Sequence, residues 1–194
     1  VNVVTRKQLD DRRVQTLKEA LTYTPGVRIG AFGFDNRFDA FYIRGFDVTY
    51  NGVYRDGLRE LTGNFSIFKT EPYGLDSISV LKGPSSVLYG GGSPGGVVNL
   101  VSKRPTETPF REVEVQAGSH NRYQGQFDFS GPLANSDNAL FRLTGVVRQS
   151  DTELRSVPDD KITIAPALTF RSDDRDTQLT ILGEYSQIGR AHVW

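Results

Sequence analysis

Histidine, acid and serine side chains are the first candidates for chemistry here, because the sequence contains no cysteine. Without a thiol there is no disulfide, thiolate metal site or cysteine nucleophile. The two histidines, His120 and His192, lie far apart and outside any metal-ligand spacing. No arrangement of Ser, His and Asp and no paired acid motif accompanies the loops. We therefore predict that the chain has no catalytic residue, binds no metal and is not an enzyme.

The glycine-rich run at 90–96 follows a predicted strand and could be mistaken for a phosphate-binding loop. It lacks the Gly-Lys-Ser/Thr ending of a nucleotide loop, and no dinucleotide fingerprint is complete. Glycine also permits a positive φ and lets one strand pass close to a neighbouring backbone. We favour close backbone packing for this run.

Charge and hydropathy exclude two further classes of protein. Lys and Arg total 23 and Asp and Glu total 23, so the formal net charge is zero. Nucleic-acid binding rests on an excess of cations, so we predict no nucleic-acid partner. No apolar stretch approaches the roughly 20 residues of a transmembrane helix. Transmembrane strands remain open, because their alternating residues keep the average hydropathy moderate.

Residues 1–109 are predicted to form a mixed α and β unit. Capping boxes at Thr5–Gln8 and Thr16–Glu19 each predict the start of a short helix. Short strands are predicted at 40–44, 77–82 and 96–102, separated by segments rich in Gly, Asn, Asp and Tyr. The strands are too short and the loops too long for a doubly wound nucleotide-binding fold.

Residues 110–187 alternate with a period of two, which predicts five antiparallel strands in a meander. One face carries Glu, Gln, Asp and Arg, and the other carries aliphatic and aromatic residues such as Phe129, Phe170 and Tyr185. Periodicity alone fits a soluble β-sandwich as well as a membrane barrel. The distribution of polar and apolar residues favours a barrel with a wet interior.

Several motifs in the first half agree in order, spacing and wording with a known family. They are Tyr-Thr-Pro-Gly-Val at 23–27, Tyr-Ile-Arg-Gly-Phe at 42–46, and two longer stretches at 78–90 and 93–105. Together they resemble the plug of TonB-dependent outer-membrane receptors. Within that family the sequence is most similar to ferric-hydroxamate siderophore receptors of the ferrichrome type.

The resemblance implies an α+β plug domain at 1–109, followed at 110–187 by the first strands of a truncated transmembrane β-barrel. The family's barrel has about 22 antiparallel strands. We expect most of the barrel, and the segment that TonB contacts before the plug, to be missing from this chain. Residues 188–194 break the alternation and are interpreted as a non-native tail, so no role is given to His192 or Trp194.

The resemblance also implies a ligand site at the outward-facing tips of the plug, in the segments 29–36, 47–55 and 63–68. Aromatic walls with a few polar donors suit a bulky iron chelate. The alternative, in which these rings belong to the plug core, stays open for Phe65 and Phe68. The predicted ligand-binding residues are Phe32, Phe34, Tyr50, Asn51, Tyr54, Phe65 and Ser66. At Phe32 and Ser66 the sequence departs from the ferrichrome receptor, which leaves the identity of the siderophore open.

Arg44 and Lys82 occupy positions where, by similarity, the family has arginines that pair with glutamates of the barrel wall and hold the plug. A buried charge is costly unless it is paired, so such pairs act as a lock. Lysine cannot form the planar bidentate pair that arginine forms, so the lock here would differ.

These resemblances together imply TonB-dependent uptake of a ferric siderophore, of hydroxamate type, across the outer membrane of a Gram-negative bacterium. The implied partners are the ferric siderophore, TonB and outer-membrane lipid, and iron arrives with the siderophore, so no cofactor is expected. The alternatives are a receptor for haem, cobalamin or a carbohydrate, and a secreted β-sandwich binding module.

Overall fold

The computed structural model describes residues 1–30, 39–60, 69–84, 89, 91–133, 136–152 and 157–189. Its contacts divide the chain into two compact units, unit 1 at Val1–Ser102 and unit 2 at Lys103–Trp194. The boundaries predicted from the sequence, at 109 and 187, stay predictions.

Unit 1 combines short helices with two small sheets. The helices are α1 (Arg6–Asp11) and α2 (Leu17–Leu21), with a 3₁₀ turn at Pro72–Gly74. The strands are β1 (Asn2–Thr5), β2 (Val27–Ile29), β3 (Phe41–Ile43), β4 (Phe46–Asp47), β5 (Val53–Arg55), β6 (Leu58–Arg59), β7 (Leu75–Lys82) and β8 (Gly96–Ser102). One sheet has the order β1-β7-β8-β5-β6, with β5 and β8 parallel, and the other has the order β2-β3-β4. The three strands predicted in this half are confirmed.

The core of unit 1 combines side chains from both helices and from both sheets. The Thr5 side chain accepts a hydrogen bond from the Gln8 amide, and the Gln8 side chain accepts one from the Thr5 amide, so the predicted capping box starts α1. Apolar side chains at helical spacing in α2 then point inward. The buried members of this cluster include Leu9, Leu17, Ala20, Leu21, Phe41, Ile43, Val48, Leu75, Ile78, Val80, Val98 and Leu100.

Unit 2 is an antiparallel meander. Its strands are β9 (Phe110–Gly118), β10 (Arg122–Leu133), β11 (Ser136–Gln149), β12 (Lys161–Arg171), β13 (Gln178–Leu182) and β14 (Tyr185–Ile188). The sheet has the order β9-β10-β11-β12-β13, and β14 also pairs with β12. Strands of 9 to 14 residues in β9 to β12 match the length that a tilted strand needs to cross a bilayer.

The two faces of this sheet reverse the pattern of a water-soluble protein. Side chains on one face are polar and buried: Gln124, Gln126, Asp128, Ser130, Thr144, Arg148, Lys161, Thr163 and Thr169. Side chains on the other face are large, apolar and exposed: Val113, Val115, Tyr123, Val147, Ile162, Ile164, Leu168, Phe170, Leu179, Ile181 and Tyr185. The exposed apolar face suits hydrocarbon. The face assignment made from the sequence is confirmed.

The fifth predicted strand, 177–187, is interrupted in the structure. β13 and β14 pair with β12 in one continuous register, but the ladder stops where Pro166 faces Gly183. The Gly183 amide donates to the Pro166 carbonyl at 2.9 Å, whereas proline has no N–H to return the second bond. A single proline therefore divides the strand.

Among the described residues, no helix combines the length and the apolar character required to span a membrane.

Candidate functional site

Four of the predicted ligand-binding residues, Phe32, Phe34, Phe65 and Ser66, lie outside the described residues. The structure places the other three, Tyr50, Asn51 and Tyr54, on the connection between β4 and β5 and at the start of β5. Their roles as ligand contacts stay predictions.

Tyr50 and Asn51 are exposed at the tip of a tightly held turn. The Thr49 amide donates to the Asp47 carboxylate at 2.8 Å, and the Phe41 amide donates to the Thr49 hydroxyl at 3.3 Å. These bonds satisfy buried backbone groups and fix the turn to the first residue of β3, Phe41. Tyr50 is 41% exposed beside this anchored base. Tyr50 and the neighbouring Asn51 are thus both exposed on a turn whose preceding residue is hydrogen-bonded to β3.

Tyr54 differs from Tyr50, because it is buried. Its side chain is 2% exposed, and its hydroxyl donates to the Tyr89 carbonyl oxygen at 2.8 Å. The two tyrosine rings meet edge to face, with centroids 4.9 Å apart. The Tyr54 hydroxyl is therefore already used to hold the segment at Tyr89 against β5.

Two glycines that follow Tyr89, Gly95 and Gly96, pack closely against the backbone of neighbouring strands. A Cβ atom on Gly95 would lie 2.3 Å from the Ile43 carbonyl oxygen, and one on Gly96 would lie 2.0 Å from the Leu81 carbonyl oxygen. Gly96 also has a φ of +135°, which side chains rarely adopt. Both contacts support the packing role predicted for the glycine-rich run.

Arg44 and Lys82 both pass close to Gly26, and their role as a lock stays a prediction. A Cβ atom on Gly26 would lie 3.9 Å from Lys82 Cδ and 4.0 Å from Arg44 Cγ, so both side chains pass the same point. The Arg44 backbone has a φ of +52° and is held by its amide, which donates to the Gly26 carbonyl at 2.9 Å. In the described part of the chain no carboxylate pairs with either cation. The adjacent positive charges favour an acidic partner.

The polar face of unit 2 carries a continuous hydrogen-bond chain across its strands. Glu114 accepts from Gln126 at 2.6 Å, and Gln126 accepts from Gln124 at 2.7 Å. Gln124 in turn accepts from Arg148 at 2.6 Å, and an Arg148 Nη1 atom lies 3.5 Å from an Asp159 oxygen. Such a network satisfies buried polar groups within the sheet. The polar side chains of this face are therefore held in place by hydrogen bonds between neighbouring strands.

Sequence reasoning missed a second cluster on the same face, centred on Asp128. The Asp128 carboxylate accepts from Lys103 and Arg142 and is fully buried. Alternation placed Asp128 on the polar face but carried no signal for its partners, which lie 25 and 14 residues away in sequence.

Within the described ranges, no group of three or more His, Asp or Glu side chains is placed to hold a metal ion.

Comparison with known proteins agrees with this two-part architecture. Residues 1–97 match the family described as the TonB-dependent receptor plug domain. The chain is 40% identical, over 95% of its length, to the ferrichrome outer membrane transporter/phage receptor of Escherichia coli K12. It is 41% identical, over 92% of its length, to the ferrioxamine receptor of Yersinia enterocolitica. It spans 25% of each of these two relatives.

Solved structures give the same result. The ferripyoverdine receptor of the outer membrane of Pseudomonas aeruginosa, bound to ferripyoverdine, superposes with a TM-score of 0.85 at 29% identity. The match covers 95% of this chain and 24% of that receptor. The predicted fold class, an α+β plug followed by antiparallel strands, is confirmed, and these relatives are receptors and transporters rather than enzymes.

A plug-family match over the first half of the sequence, followed by a sheet whose apolar face is exposed, therefore identifies the chain as a member of the TonB-dependent receptor family.

Proposed function

We propose that the chain belongs to a receptor that imports a ferric siderophore across the outer membrane of a Gram-negative bacterium, in a TonB-dependent manner. The observation that carries the proposal is the reversed sheet of unit 2, joined in one chain to a plug domain. A polar face that is buried and an apolar face that is exposed suit the wall of a lipid-embedded barrel. Outer-membrane lipid is then the partner of the exposed face.

The cargo is a ferric siderophore of hydroxamate type. Support comes from the similarity to receptors named for ferrichrome and ferrioxamine. Iron enters as part of this cargo, so the receptor needs no resident cofactor. The protein binds the chelate without breaking a covalent bond, and TonB supplies the mechanical work that frees a path.

The siderophore site comprises Phe32, Phe34, Tyr50, Asn51, Tyr54, Phe65 and Ser66 at the tip of the plug. Tyr50 and Asn51 are exposed, which supports direct contact. Tyr54 is buried and supports the site indirectly, because its hydroxyl holds the segment at Tyr89 against β5. Arg44 and Lys82 form the lock, in which their paired positive charges bind glutamates of the receptor's barrel wall.

Ligand binding tests the contact residues in the full receptor. Replacing Tyr50 by alanine should weaken binding of ferrichrome or ferrioxamine, measured by fluorescence quenching, by about tenfold, which equals about 1.4 kcal/mol. Tyr23→Ala is a matched control, because Tyr23 is also an exposed tyrosine of unit 1 but lies outside the predicted site. Equal affinities for Tyr50→Ala and the unmodified receptor would contradict the assignment of this tip.

Uptake of radioactive iron by whole cells tests the transport step. Import of the ferric hydroxamate should stop when TonB is deleted. Quenching by haem, cobalamin or an oligosaccharide, with none by ferric hydroxamates, would instead show a different cargo for the same receptor.

A further inference from the structure

The segment between β8 and β9, residues 103–109, has no regular secondary structure, yet nearly all of it is bonded to or packed on the sheet of unit 2. We call this segment the strap. Its neighbours on either side are the ends of β8 and β9. The strap therefore links the last strand of unit 1 to the first strand of unit 2.

Asp128 provides the first and most buried attachment. The Lys103 Nζ atom lies 2.8 Å from Asp128 Oδ2, and Arg142 donates to both carboxylate oxygens, at 2.9 and 2.7 Å. The exposed fractions of the Lys103, Asp128 and Arg142 side chains are 5%, 0% and 12%. Arg142 also donates to the Arg104 carbonyl at 2.9 Å. Charge-assisted, bidentate bonds shielded from water are among the strongest in proteins.

Further contacts hold the rest of the strap. The Thr106 amide donates to the Ser130 hydroxyl oxygen at 2.9 Å. A Cβ atom on Gly131 would lie only 3.2 Å from Pro109 Cα, so the strap packs directly onto the backbone of β10. Glu107 pairs with Arg171 at 2.5 Å. The strap is thus bound to three strands of the sheet, β10, β11 and β12.

On the other side of the junction, Ser102 is held within unit 1. The Asp56 carboxylate accepts from the Ser102 amide at 2.9 Å and from the Ser102 hydroxyl at 2.7 Å. The Arg55 guanidinium also donates to the Ser102 hydroxyl oxygen at 3.1 Å. One peptide bond therefore joins a residue fastened to unit 1 and a residue fastened to unit 2.

We infer that Asp128 is the positioning residue that keeps the strap seated on the wall during transport, so that any displacement of unit 1 begins at the Ser102–Lys103 peptide. The inference rests on the proposed transport function for its physiological meaning. It assigns to Asp128, Lys103 and Arg142 the role of a fixed anchor that resists the pull of TonB.

A disulfide across the strap tests whether it stays seated. The Thr106 and Ser130 side-chain oxygens are 2.9 Å apart, so cysteines at both positions come within bonding distance, and the sequence contains no cysteine to interfere. The oxidised Thr106→Cys, Ser130→Cys receptor should import ferric hydroxamate within about twofold of its reduced form. Loss of import on oxidation, with recovery in dithiothreitol, would overturn the inference.

Single-molecule pulling from the N-terminal end of the plug gives a second test that needs no cargo. In the full receptor, the first unfolding event should stop at the strap. In Asp128→Asn, where the anchor is weakened, the seven strap residues 103–109 should peel off as well, adding about 25 Å of contour length at about 3.5 Å per residue.

Glu114→Gln is the matched control, because it also neutralises an acid on the polar face, but Glu114 accepts its hydrogen bonds from Gln116 and Gln126 and not from the strap. It should unfold like the unmodified receptor. Identical contour lengths for Asp128→Asn and the unmodified receptor would refute the anchor. A receptor that imports nothing would refute the proposed function alone, because the pulling experiment would still decide the anchor.

Discussion

Replacing Ile164 by lysine tests whether the exposed face of β12 lies in hydrocarbon. Ile164 is 42% exposed on the apolar face, whereas the adjacent Thr163 is 5% exposed and lies on the polar face. On a sheet that faces water, a lysine at an exposed position changes the free energy of unfolding by about 0.5 kcal/mol or less. In hydrocarbon the same lysine costs about 2–4 kcal/mol at the midplane.

The position of Ile164 along the strand refines this magnitude. β12 has 11 residues, so the distance from its first to its last residue is ten steps of about 3.3 Å, or about 33 Å. At a tilt of about 40°, it spans about 25 Å of membrane height, which equals the usual apolar band. Ile164 is the fourth residue, about 8 Å inside one boundary and about 5 Å from the midplane. We therefore expect about 2 kcal/mol, or about 30-fold in the folding equilibrium.

The assay is guanidinium unfolding of the full receptor in phospholipid vesicles. Asp176→Lys, in the exposed turn between β12 and β13, introduces the same side chain outside the apolar band and serves as the control. The control should leave the free energy of unfolding nearly unchanged. A destabilisation by Ile164→Lys no larger than that of the control would refute the assignment of this face to lipid.

Two further predictions concern the plug and the strap. Gly96→Ala should destabilise unit 1 by about 1–3 kcal/mol in urea unfolding, because its Cβ would meet the Leu81 carbonyl at a strained φ. Gly91→Ala is the control, because a Cβ at Gly91 meets open space. Equal urea midpoints for the two variants would contradict the packing role of Gly96. The hydrogen bond from Arg171 holds the pKa of the Glu107 carboxyl below its usual value of 4.5. The ion pair therefore stabilises the fold above pH 4.5, and this stabilisation is lost as the pH falls through the lowered pKa. In Glu107→Gln, the free energy of unfolding should fall less steeply with decreasing pH than in the unmodified receptor. Superimposable pH profiles would argue against the pair.

Local rules predicted the helices well because they depend on neighbouring residues. The Thr5–Gln8 box forms both of its expected bonds. At the second box, the Thr16 side chain caps the Glu19 amide as predicted, but the Glu19 carboxylate accepts from the Gln15 amide at 2.8 Å. A one-residue shift of this kind depends on the backbone path before the cap, which spacing does not encode.

The candidate site shows where sequence reasoning reached its limit. An aromatic-rich segment predicts a ligand surface, yet Tyr50 and Tyr54, four residues apart, have opposite environments in the structure. Tyr54 is buried because Tyr89, far along the chain, offers a carbonyl partner. The Asp128 anchor was missed for the same reason, since its cations come from distant residues. Composition and the alternation of polar and apolar residues predict the helices, the strands and the two faces of the sheet. Contacts between residues that are distant in sequence depend on the tertiary fold.

The proline in β12 has a consequence for how the wall assembles. Gly183, opposite Pro166, has no side chain, and even a Cβ there would already touch the pyrrolidine ring, at 3.4 Å from Pro166 Cγ. Sliding β13 by two residues would keep every side chain on its own face, but would bring Ile181 or Tyr185 against that ring. The proline therefore favours the native register of β13 and β14 over a register shifted by two residues. Burial of apolar side chains in the bilayer does not distinguish these two registers, because both keep the same side chains on the same face.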